Sequence, residues 1–339
     1  MILAGIKKLV KAQDLTPAEM KAVFSQIMKG ETTAAQIAAF LTALSIKGET
    51  VEEITAAAQT MRSFAEPIKS QSKIILDTCG TGGSGLHTFN VSTLVALIAS
   101  CAGITVAKHG NRSATSRAGS ADLLEKLGVN INAEPQVVEH CLNQINIGFL
   151  FAPKFHKAMK YAIGPRREIG IRTIFNILGP LTNPAHATHQ LLGVFSQDLL
   201  APLTAVLANL GLVHALVVHS EQGMDEISTA SKTLIYELNH KQIKNYTVSP
   251  DDFGIKTSKL SDLQIEDVEH SYEITQDILK GKTGPVYDLV ILNAAFAIYT
   301  ADAVGDVKQG LELAKKILAD GSALKKLELL KQYSHEINT

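Results

Sequence analysis

The chain has 339 residues, of which 46% are hydrophobic, and its 32 lysines and arginines nearly balance 33 aspartates and glutamates. This composition excludes disorder for the bulk of the chain and predicts one large domain or two unequal ones with a sizeable core. A net charge of −1 provides no overall field to attract nucleic acid or an anionic membrane, which favours a small-molecule pocket.

The cysteines and the apolar segments indicate the compartment. Cys79, Cys101 and Cys141 cannot all be paired, and none of them has a second cysteine or a histidine at metal-binding spacing. The apolar N-terminal segment is shorter than the core of a secretion signal, and no stretch approaches the ~18 apolar residues of a membrane span. We therefore expect a soluble, unprocessed, cytoplasmic protein.

Residues 1–70 are predicted to form helices only. Thr16, Thr33 and Thr50 are each followed three residues later by Glu or Gln, which is the pattern of a capping box at a helix start. Apolar residues follow each of these starts at helical spacing, and glycines separate the helices. The pattern indicates a small all-helical domain.

From residue 73 onward, short β-branched segments alternate with helical ones. Five segments are apolar without a break, so both of their faces should be buried, as in a parallel sheet with helices on each side. Residues 233–238 and 242–248 have the pattern of a hairpin, and helices over 288–299 and 307–318 close the chain. The predicted parallel strands are residues 73–77, 104–108, 147–152, 191–195 and 215–219.

Residues 154–185 interrupt this alternation. The segment is rich in proline, glycine and arginine, and its apolar residues have helical spacing. We expect it to pack against the N-terminal helices. The predicted architecture is therefore a small helical domain, residues 1–70, completed by this insertion, and a larger α/β domain with a mostly parallel central sheet flanked by helices, residues 71–153 and 186–339.

A glycine-rich turn follows the first predicted strand and precedes a helix that should start near Val91. Gly80, Gly82 and Gly83 would let backbone N–H groups approach an anion, and the helix N-terminus adds partial positive charge. Phosphate or pyrophosphate is the ligand that this turn favours. The spacing also matches a dinucleotide-binding motif, but the second strand ends in Lys108 and not in an acidic residue, which disfavours a nicotinamide cofactor. A purely structural turn is the alternative.

Polar and cationic side chains follow this turn in two groups. Thr88, Asn90, Ser92 and Thr93 surround the predicted helix start, although Ser92 or Thr93 alone could equally be a helix N-cap. The segment 108–122 combines cations with hydroxyl and amide groups at the carboxyl end of a buried strand, where open α/β sheets bind ligands. We expect both groups to contact phosphate oxygens, and a surface loop without function is the alternative for the second.

Two adjacent carboxylates, Asp225 and Glu226, follow the fifth predicted strand. Mg²⁺ keeps most of its waters and takes one or two protein oxygens together with substrate phosphate. The pair therefore predicts an Mg²⁺ site if it faces the phosphate-binding turn. Taken alone, two such residues in a loop are more often simply solvated.

Three arginines, Arg166, Arg167 and Arg172, lie in the predicted insertion. The planar guanidinium of arginine suits a carboxylate ligand. Only one of the three needs to face a cleft. The alternative is that they are exposed or paired with Glu168.

Together these motifs resemble those of the anthranilate phosphoribosyltransferases, a family that shares its fold with the pyrimidine nucleoside phosphorylases. The resemblance covers nearly the whole chain. It rests on GTGG followed by TFNVST, on KHGNR and GSADLLE, on FAPKFHKAM with the arginine-containing segment up to LTNPA, and on GMDE. It implies transfer of the 5-phosphoribosyl group of phosphoribosyl pyrophosphate (PRPP) to the amino group of anthranilate, with release of pyrophosphate, in tryptophan biosynthesis. It also implies a homodimer formed through the helical domain.

The resemblance further implies roles for individual residues. Mg²⁺, two ions per subunit, would be bound by Ser92, Asp225 and Glu226. The catalytic residues would be Lys108, Asp225 and Glu226. Anthranilate would contact Gly80, His109, Asn111 and, through its carboxylate, Arg166. PRPP would contact Gly80, Gly82, Gly83, Ser84, Thr88, Asn90, Val91, Ser92, Thr93, Lys108, His109, Gly110, Asn111, Arg112, Ser113, Ala114, Thr115, Ser116 and Ser120.

The expected chemistry is displacement at the anomeric carbon through an oxocarbenium-like state, with Mg²⁺ and Lys108 stabilising the departing pyrophosphate. An arylamine is neutral at pH 7, so no strong general base is expected. Cys79, beside the glycine-rich turn, is interpreted as a small buried residue and not as a nucleophile.

Two positions depart from the family pattern. Ser84 stands where the family usually has Asp, which removes a carboxylate that could help to hold Mg²⁺ or ribose, and Thr115 replaces a familiar serine but keeps the hydroxyl. Two other functions stay open at this point. A pyrimidine nucleoside phosphorylase would carry an additional C-terminal domain, and a nucleic-acid-binding relative would need a basic surface.

Overall fold

The computed structural model describes residues 1–113 and 117–336. Within these ranges, the helices are α1 (Ile2–Leu9), α2 (Pro17–Met28), α3 (Ala34–Lys47), α4 (Val51–Phe64), α5 (Val91–Cys101), α6 (Ser120–Lys126), α7 (Pro135–Ile145), α8 (Ala152–Phe155), α9 (Lys160–Ile169), α10 (Phe175–Leu181), α11 (Leu200–Asn209), α12 (Val268–Leu279), α13 (Pro285–Thr300), α14 (Val307–Ala319) and α15 (Ser322–Ser334). The strands are β1 (Ile75–Gly80), β2 (Thr105–Gly110), β3 (Ile147–Phe151), β4 (His189–Gly193), β5 (His214–Ser220), β6 (Thr233–Asn239) and β7 (Gln242–Val248). None of these helices has both the length and the apolar character needed to cross a membrane.

The starts of α2, α3 and α4 confirm the three predicted capping boxes. The hydroxyl of Thr16 accepts a hydrogen bond from the backbone N–H of Glu19, and the Glu19 carboxylate accepts one from the N–H of Thr16. Thr33 and Thr50 form the same reciprocal pair with the residue three positions later. Each cap contributes about 1 kcal/mol to helix stability. Local signals therefore define where the N-terminal helices begin.

The sheet has the strand order β3-β2-β1-β4-β5-β6-β7. The first five strands in this order are parallel, whereas β6 is antiparallel to both β5 and β7. The mostly parallel sheet and the hairpin are thus confirmed. Because β2 and β3 lie on one side of β1, and β4 and β5 on the other, the order reverses between β1 and β4. Such a reversal opens a crevice at the carboxyl ends of the strands.

Helices cover both faces of the sheet, as the unbroken apolar strands predict. In β5, Leu216 and Val218 belong to a core shared with α5 and α13. Ala215 and Val217 belong to a second core, shared with α11 and the N-terminal helices. Alternate side chains of one strand therefore enter different cores, which explains why the strand has no polar face.

The segment between β3 and β4 is helical and packs against the N-terminal helices. α9 lies against α3, and the ring of Phe175 in α10 contacts that of Phe24 in α2, with centroids 5.6 Å apart. Arg62, in α4, donates from Nε to the carbonyl oxygen of Leu181 at 2.7 Å. These contacts agree with the expected position of the insertion. The division of the chain at residues 70, 153 and 185 stays a prediction.

A buried polar cluster lies at the opposite, amino-terminal edge of the sheet. His214 has its Nδ1 2.7 Å from Oδ1 of Asp302 and its Nε2 3.4 Å from Oε1 of Glu237, the latter an ion-pair contact. Burial lowers the pKa of His214, but the two carboxylates raise it by more, so it lies above its ordinary value. Burial raises the pKa of Glu237, but His214 and the hydroxyls of Tyr246 and Tyr299 outweigh it and lower that pKa to about 2. The pair is therefore charged on both sides near pH 6.

This cluster predicts a pH window for stability. Because folding raises the pKa of His214, its contribution is complete below the unfolded value of 6.5 and is lost as the pH rises through the folded value. Because folding lowers the pKa of Glu237 to about 2, its contribution is complete above 4.5 and is lost as the pH falls towards 2. We expect His214→Phe to lose about 1–3 kcal/mol of unfolding free energy at about pH 6, measured by urea titration, and less at about pH 9. An equal loss at both values would contradict the ion pair.

Candidate active site

The residues predicted to bind phosphate lie where β1 and β4 end side by side. Gly80 ends β1 and Gly193 ends β4, and the two are paired in the parallel ladder. Just beyond them, the N–H of Thr81 donates to the carbonyl oxygen of Gly193 at 2.9 Å. The loop of residues 80–85, called here the glycine loop, therefore starts at the crevice created by the strand order.

The glycine loop has a backbone that few other residues could adopt. Gly82, Gly83 and Gly85 have φ values of 62°, 79° and 72°. A side chain is strained in this left-handed region, so glycine is required for the tight turn. The N–H of Gly82 donates to Oδ2 of Asp225 at 3.1 Å, so the loop is bonded directly to one of the two predicted carboxylates.

Asp225 packs directly against Gly80 and Gly193, the last residues of β1 and β4. A Cβ atom at Gly80 would lie 2.6 Å from Oδ2 of Asp225, and one at Gly193 would overlap the backbone oxygen of Asp225. A side chain at Gly193 would collide with the backbone of Asp225, and one at Gly80 would displace the Asp225 carboxylate. Gly193 is thus a site residue that the sequence does not reveal, because its requirement arises from a contact with a distant segment.

The two carboxylate residues are half-buried, and burial shifts the pKa values of both. Burial raises the pKa of Asp225, although backbone N–H groups, including that of Gly82, oppose the shift. Burial raises the pKa of Glu226 well above its ordinary value, the charge of Asp225 raises it further, and Lys108 lowers it. Together with Ser92, both residues line a cavity of about 10 Å³, room for roughly one water. A bound cation would offset the repulsion between the negative charges of Asp225 and Glu226.

Among the described residues, no group of three or more His, Cys, Asp or Glu side chains is arranged to hold a metal ion. Two carboxylates and one hydroxyl would leave most of the coordination positions of Mg²⁺ to water and to a ligand. This is the usual arrangement for Mg²⁺ bound with substrate phosphates. The residues present therefore fit Mg²⁺ that arrives with a phosphorylated substrate.

Lys108 lies below the glycine loop and is only 3% exposed. Its ammonium group donates to the carbonyl oxygen of Thr78 at 2.8 Å and to the hydroxyl of Ser92 at 2.9 Å. Burial lowers the pKa of Lys108, and the nearby charges of Asp77 and Glu226 oppose this shift. Lys108 thus brings positive charge beneath the two carboxylates and orients the hydroxyl of Ser92.

The polar residues at the start of α5 do not cap the helix. Ser92 and Thr93 lie inside the first turn, so the N-cap alternative for them is wrong. Asn90 is the N-cap residue, but its side chain accepts no bond from the helix backbone. Instead, Oδ1 of Asn90 accepts a hydrogen bond from the hydroxyl of Thr93. The N–H of Val91 donates to the carbonyl oxygen of Phe89, and the polar side chains leave the next N–H groups of the helix start available to an anion.

The segment after β2 contains Arg112 and Ser120. The guanidinium of Arg112 is exposed and forms ion pairs with Asp122 at 2.9 Å and Glu125 at 2.7 Å. A phosphate would have to compete with these two carboxylates for the charge of Arg112. Ser120 begins α6, and its hydroxyl lies 3.4 Å from the backbone oxygen of Asn111.

The remaining residues predicted to contact PRPP have different environments. Thr88 forms an isolated β-bridge with Gln264, and the N–H of Ser113 donates to Asp122 at 3.1 Å. Val91 is fully buried, and its N–H donates to the carbonyl oxygen of Phe89 at 2.9 Å. Ser84 lies in the glycine loop and Gly110 ends β2. Ala114, Thr115 and Ser116 lie outside the described residues.

Two buried histidines lie between the sheet and the helical insertion. The ring centroids of His109, in β2, and His156, after α8, are 5.1 Å apart. Burial lowers the pKa of His109 well below its ordinary value and that of His156 to about 4, so both rings are neutral at pH 7. Both Nε2 atoms are buried without a hydrogen-bond partner among the described residues. Such atoms are rare in folded proteins and are suited to a hydrogen bond with a bound ligand or an ordered water. His156 is not among the residues predicted from the sequence, although it lies in the FAPKFHKAM motif.

Arg166 lies in α9 and is partly buried, with its guanidinium 5.1 Å from the ring centre of Phe175. Burial lowers the pKa of Arg166, and no carboxylate among the described residues counteracts this shift. The alternative of a pair with Glu168 is therefore not found, and Arg167 is exposed. Arg166 is a desolvated cation suited to an anionic ligand.

Arg172 connects the helical part of the molecule to the glycine loop. Its Nη2 donates to the carbonyl oxygen of Gly83 at 2.7 Å, and its guanidinium lies 4.1 Å from the ring centre of Phe195. Its own carbonyl oxygen accepts a hydrogen bond from Ser45 in α3 at 3.1 Å. The loop is thus held from two sides, by Arg172 and by Asp225.

We expect Arg172→Gln to raise the KM for PRPP about fivefold, with a smaller change in the KM for anthranilate. One exposed, charge-assisted hydrogen bond contributes about 1 kcal/mol, which corresponds to that factor. Steady-state kinetics would measure it, with Lys157→Gln as a control that removes an exposed charge from the same insertion. An equal effect in the control would contradict a specific role of Arg172.

Cys79 is not placed as a nucleophile. Burial raises the pKa of its thiol well above the ordinary value, and its Sγ accepts a hydrogen bond from Nε2 of Gln190 at 3.2 Å. A thiol that stays protonated at neutral pH is a poor nucleophile. Its interpretation as a small packing residue fits this environment.

Comparisons with known proteins cover both parts of the molecule. Residues 72–324 match the glycosyl transferase family, a/b domain, and residues 5–65 match the helical bundle domain of the same family. The anthranilate phosphoribosyltransferase of Alkaliphilus metalliredigens is 49% identical, over 99% of each chain. The crystal structure of the Thermus thermophilus enzyme is 40% identical with a TM-score of 0.93, covering 98% of this chain and 99% of that one. The Saccharomyces cerevisiae enzyme in complex with PRPP and Mg is 28% identical with a TM-score of 0.90, covering 99% and 98%.

Proposed function

The chain belongs to the anthranilate phosphoribosyltransferase family, and we propose that it transfers the 5-phosphoribosyl group of PRPP to the amino group of anthranilate. The products are N-(5-phosphoribosyl)anthranilate and pyrophosphate, a step of tryptophan biosynthesis. One observation carries the proposal: the N–H of Gly82 bonds Asp225, which joins an anion-binding backbone to a pair of desolvated carboxylates. A pyrophosphate that binds with a divalent cation suits both.

PRPP is assigned to the crevice between β1 and β4. Its phosphate oxygens would accept hydrogen bonds from N–H groups of the glycine loop and of the start of α5. The hydroxyls of Ser92 and Thr93 and the amide of Asn90 lie at the same helix start. Ser84 supplies no carboxylate to the loop, whereas the carboxylate of Asp225 accepts a hydrogen bond from the N–H of Gly82.

Mg²⁺ is assigned to Ser92, Asp225 and Glu226. These residues line one small cavity, and burial raises the pKa of both carboxylates, so a cation would be favoured there. When bound, Mg²⁺ neutralises charge on the pyrophosphate leaving group. Two ions per subunit belong to the proposal, and the Mg-containing complex of the yeast relative supports the use of the metal.

Anthranilate is assigned to the side of the crevice that faces the helical insertion. Its carboxylate would pair with Arg166, and its ring would lie near His109 and His156, whose neutral rings have unpartnered Nε2 atoms. Neither histidine is a strong base, because burial lowers both pKa values. The reaction does not need one, since the amine attacks in its neutral form.

The proposed reaction is a displacement at the anomeric carbon. The carbon–oxygen bond to pyrophosphate breaks, a carbon–nitrogen bond to anthranilate forms, and the amine loses one proton to solvent. Lys108 holds the hydroxyl of Ser92 and adds positive charge below the leaving group. The chain therefore acts by alignment and by electrostatic stabilisation of the leaving group.

The loss of anthranilate fluorescence tests this function. We expect it when the protein is mixed with Mg²⁺, PRPP and anthranilate, and not when any one of them is omitted. A pyrimidine nucleoside with inorganic phosphate serves as the control for phosphorolysis. Consumption of the nucleoside without consumption of anthranilate would overturn the proposal.

We further propose a homodimer formed through the helical domain. Large apolar side chains are exposed on α1, α3 and α9, and α3 contacts both other helices. They are Leu3, Ile46, Tyr161 and Ile163. Exposed apolar side chains on adjacent helices support an interaction surface there.

Ile46→Asp is expected to convert the dimer into a monomer in light-scattering chromatography, because Ile46 is 82% exposed in the single chain. Ile243→Asp is the matched control, since Ile243 is also exposed, at 48%, but lies on the edge strand β7. A dimer that persists in the first variant, or dissociates only in the second, would contradict the proposed surface.

The other proposed partners are the two substrates, and neither nucleic acid nor a membrane is among them. The near-neutral charge of the chain supports the first exclusion. We place the protein in the cytoplasm, because its three cysteines are free thiols.

A further inference from the structure

Asn293 is a buried polar residue that the proposed reaction does not use. It lies in α13, a helix whose buried residues are otherwise almost all apolar, and it is 1% exposed. An amide in such a place is costly unless its donors and its acceptor are all satisfied. The partners of Asn293 therefore indicate what it does.

The amide of Asn293 bonds both backbone groups of Ile227, the residue directly after Glu226. Its Oδ1 accepts from the N–H of Ile227 at 3.0 Å, and its Nδ2 donates to the carbonyl oxygen of Ile227 at 2.8 Å. The second hydrogen of Nδ2 serves the carbonyl oxygen of Leu289 at 2.8 Å. Both amide hydrogens are used, so Asn293 has no donor left for a substrate and acts through Ile227.

The other end of the carboxylate pair is held in a similar way. Ser220, at the end of β5, is fully buried, and its hydroxyl accepts from the N–H of Met224 at 2.9 Å. Its own N–H donates to the carbonyl oxygen of Met224 at 3.0 Å. The two-residue segment Asp225–Glu226 is thus held at one end by Ser220 and at the other by Asn293. Between these ends, the backbone of Asp225 packs closely against Gly193.

We propose that Asn293 is a positioning residue that holds Asp225 and Glu226 in the arrangement in which they bind a divalent cation together with PRPP. Two adjacent carboxylates that are partly removed from water repel each other. Hydrogen bonds from other parts of the chain to the flanking backbone are therefore needed to hold both carboxylates at one cation site. Asn293 also lines the same small cavity as Ser92, Asp225 and Glu226. The inference rests on the proposed function, because it takes the two carboxylates as cation ligands.

Direct cation binding tests this role. Mn²⁺, which is paramagnetic, would be titrated into the full-length protein with PRPP present, and free Mn²⁺ would be measured by electron paramagnetic resonance. Asn293→Ala and Asn293→Leu both lose the bonds to Ile227, but only the first leaves a cavity. Thr300→Val is the matched control, because the buried hydroxyl of Thr300 has only one partner among residues 1–113 and 117–336, the carbonyl oxygen of Phe296 in α13.

We expect both Asn293 variants to bind Mn²⁺ at least about tenfold more weakly than the wild type, as is typical for residues that support metal ligands. The KM for anthranilate, at saturating Mg²⁺ and PRPP, should stay within about twofold of the wild type, as expected for a residue that acts only through the cation ligands. The two variants should agree in Mn²⁺ affinity even where their melting temperatures differ. The Thr300→Val variant should bind Mn²⁺ like the wild type.

Three results would overturn the inference. They are unchanged Mn²⁺ affinity in a folded Asn293 variant, an equal loss in Thr300→Val, and failure of both Asn293 variants to fold, which would assign Asn293 to the core alone. Failure of the proposed function is distinguishable, because the wild type itself would then show no PRPP-dependent Mn²⁺ binding.

Discussion

Replacing Asp225 and Glu226 together with alanine is expected to lower kcat/KM for PRPP about 10³-fold, or roughly 4 kcal/mol of transition-state stabilisation. The pair would hold the cation that offsets the charge of the pyrophosphate, and no other carboxylate of the described residues bonds the glycine loop. Near-normal turnover in the double variant would rule out the metal assignment.

The same double variant should keep or gain thermal stability in the absence of ligands. Burial raises the pKa of both carboxylates, so their charged forms oppose folding at pH 7. Thermal denaturation with and without Mg²⁺ and PRPP would therefore separate the effect of the two substitutions on the stability of the free protein from their effect on ligand binding. The wild type should be stabilised by the ligands and the double variant should not. Glu221→Ala is the control, since Glu221 is exposed in the same loop.

The elements of the fold were predictable because their signals are local. The capping boxes at Thr16, Thr33 and Thr50 involve residues three positions apart, and the five predicted parallel strands are unbroken apolar runs. The end of β1 shows the limit of such signals. The apolar run ends at Asp77, but pairing with β4 continues to Gly80, because a neighbouring strand supplies the hydrogen bonds whatever the side chain.

The candidate site was predictable only as a set of motifs. Three contacts of the site join segments that are far apart in the chain, so no sequence spacing predicts them. They are Gly193 with Asp225, Asn293 with Ile227 and Arg172 with Gly83. The charge of a side chain alone is also a poor predictor of ligand binding. Arg112 looks like an anion-binding residue in the sequence, but Asp122 and Glu125 already neutralise its guanidinium.

Arg166→Ala is expected to raise the KM for anthranilate about 10- to 100-fold, while the KM for PRPP changes about threefold at most. A charge-assisted hydrogen bond to a carboxylate contributes about 1.5–3 kcal/mol of binding free energy. The loss is larger at a partly desolvated site than at a solvent-exposed one. Because burial lowers the pKa of Arg166 and no carboxylate of the described residues counteracts it, an anionic substrate would stabilise this guanidinium. Initial-rate kinetics with each substrate varied in turn would measure both constants.

Arg167→Ala provides the matched control for this prediction. Arg167 is the next residue of α9 and carries the same charge, but its side chain is exposed, so an ion pair there would be screened by solvent and contribute little. A substrate analogue without the carboxylate, aniline, adds a second comparison, since Arg166→Ala should not weaken its use further. If Arg166→Ala raised both KM values equally, or if Arg167→Ala had the larger effect on anthranilate, Arg166 would not be the residue that meets the carboxylate.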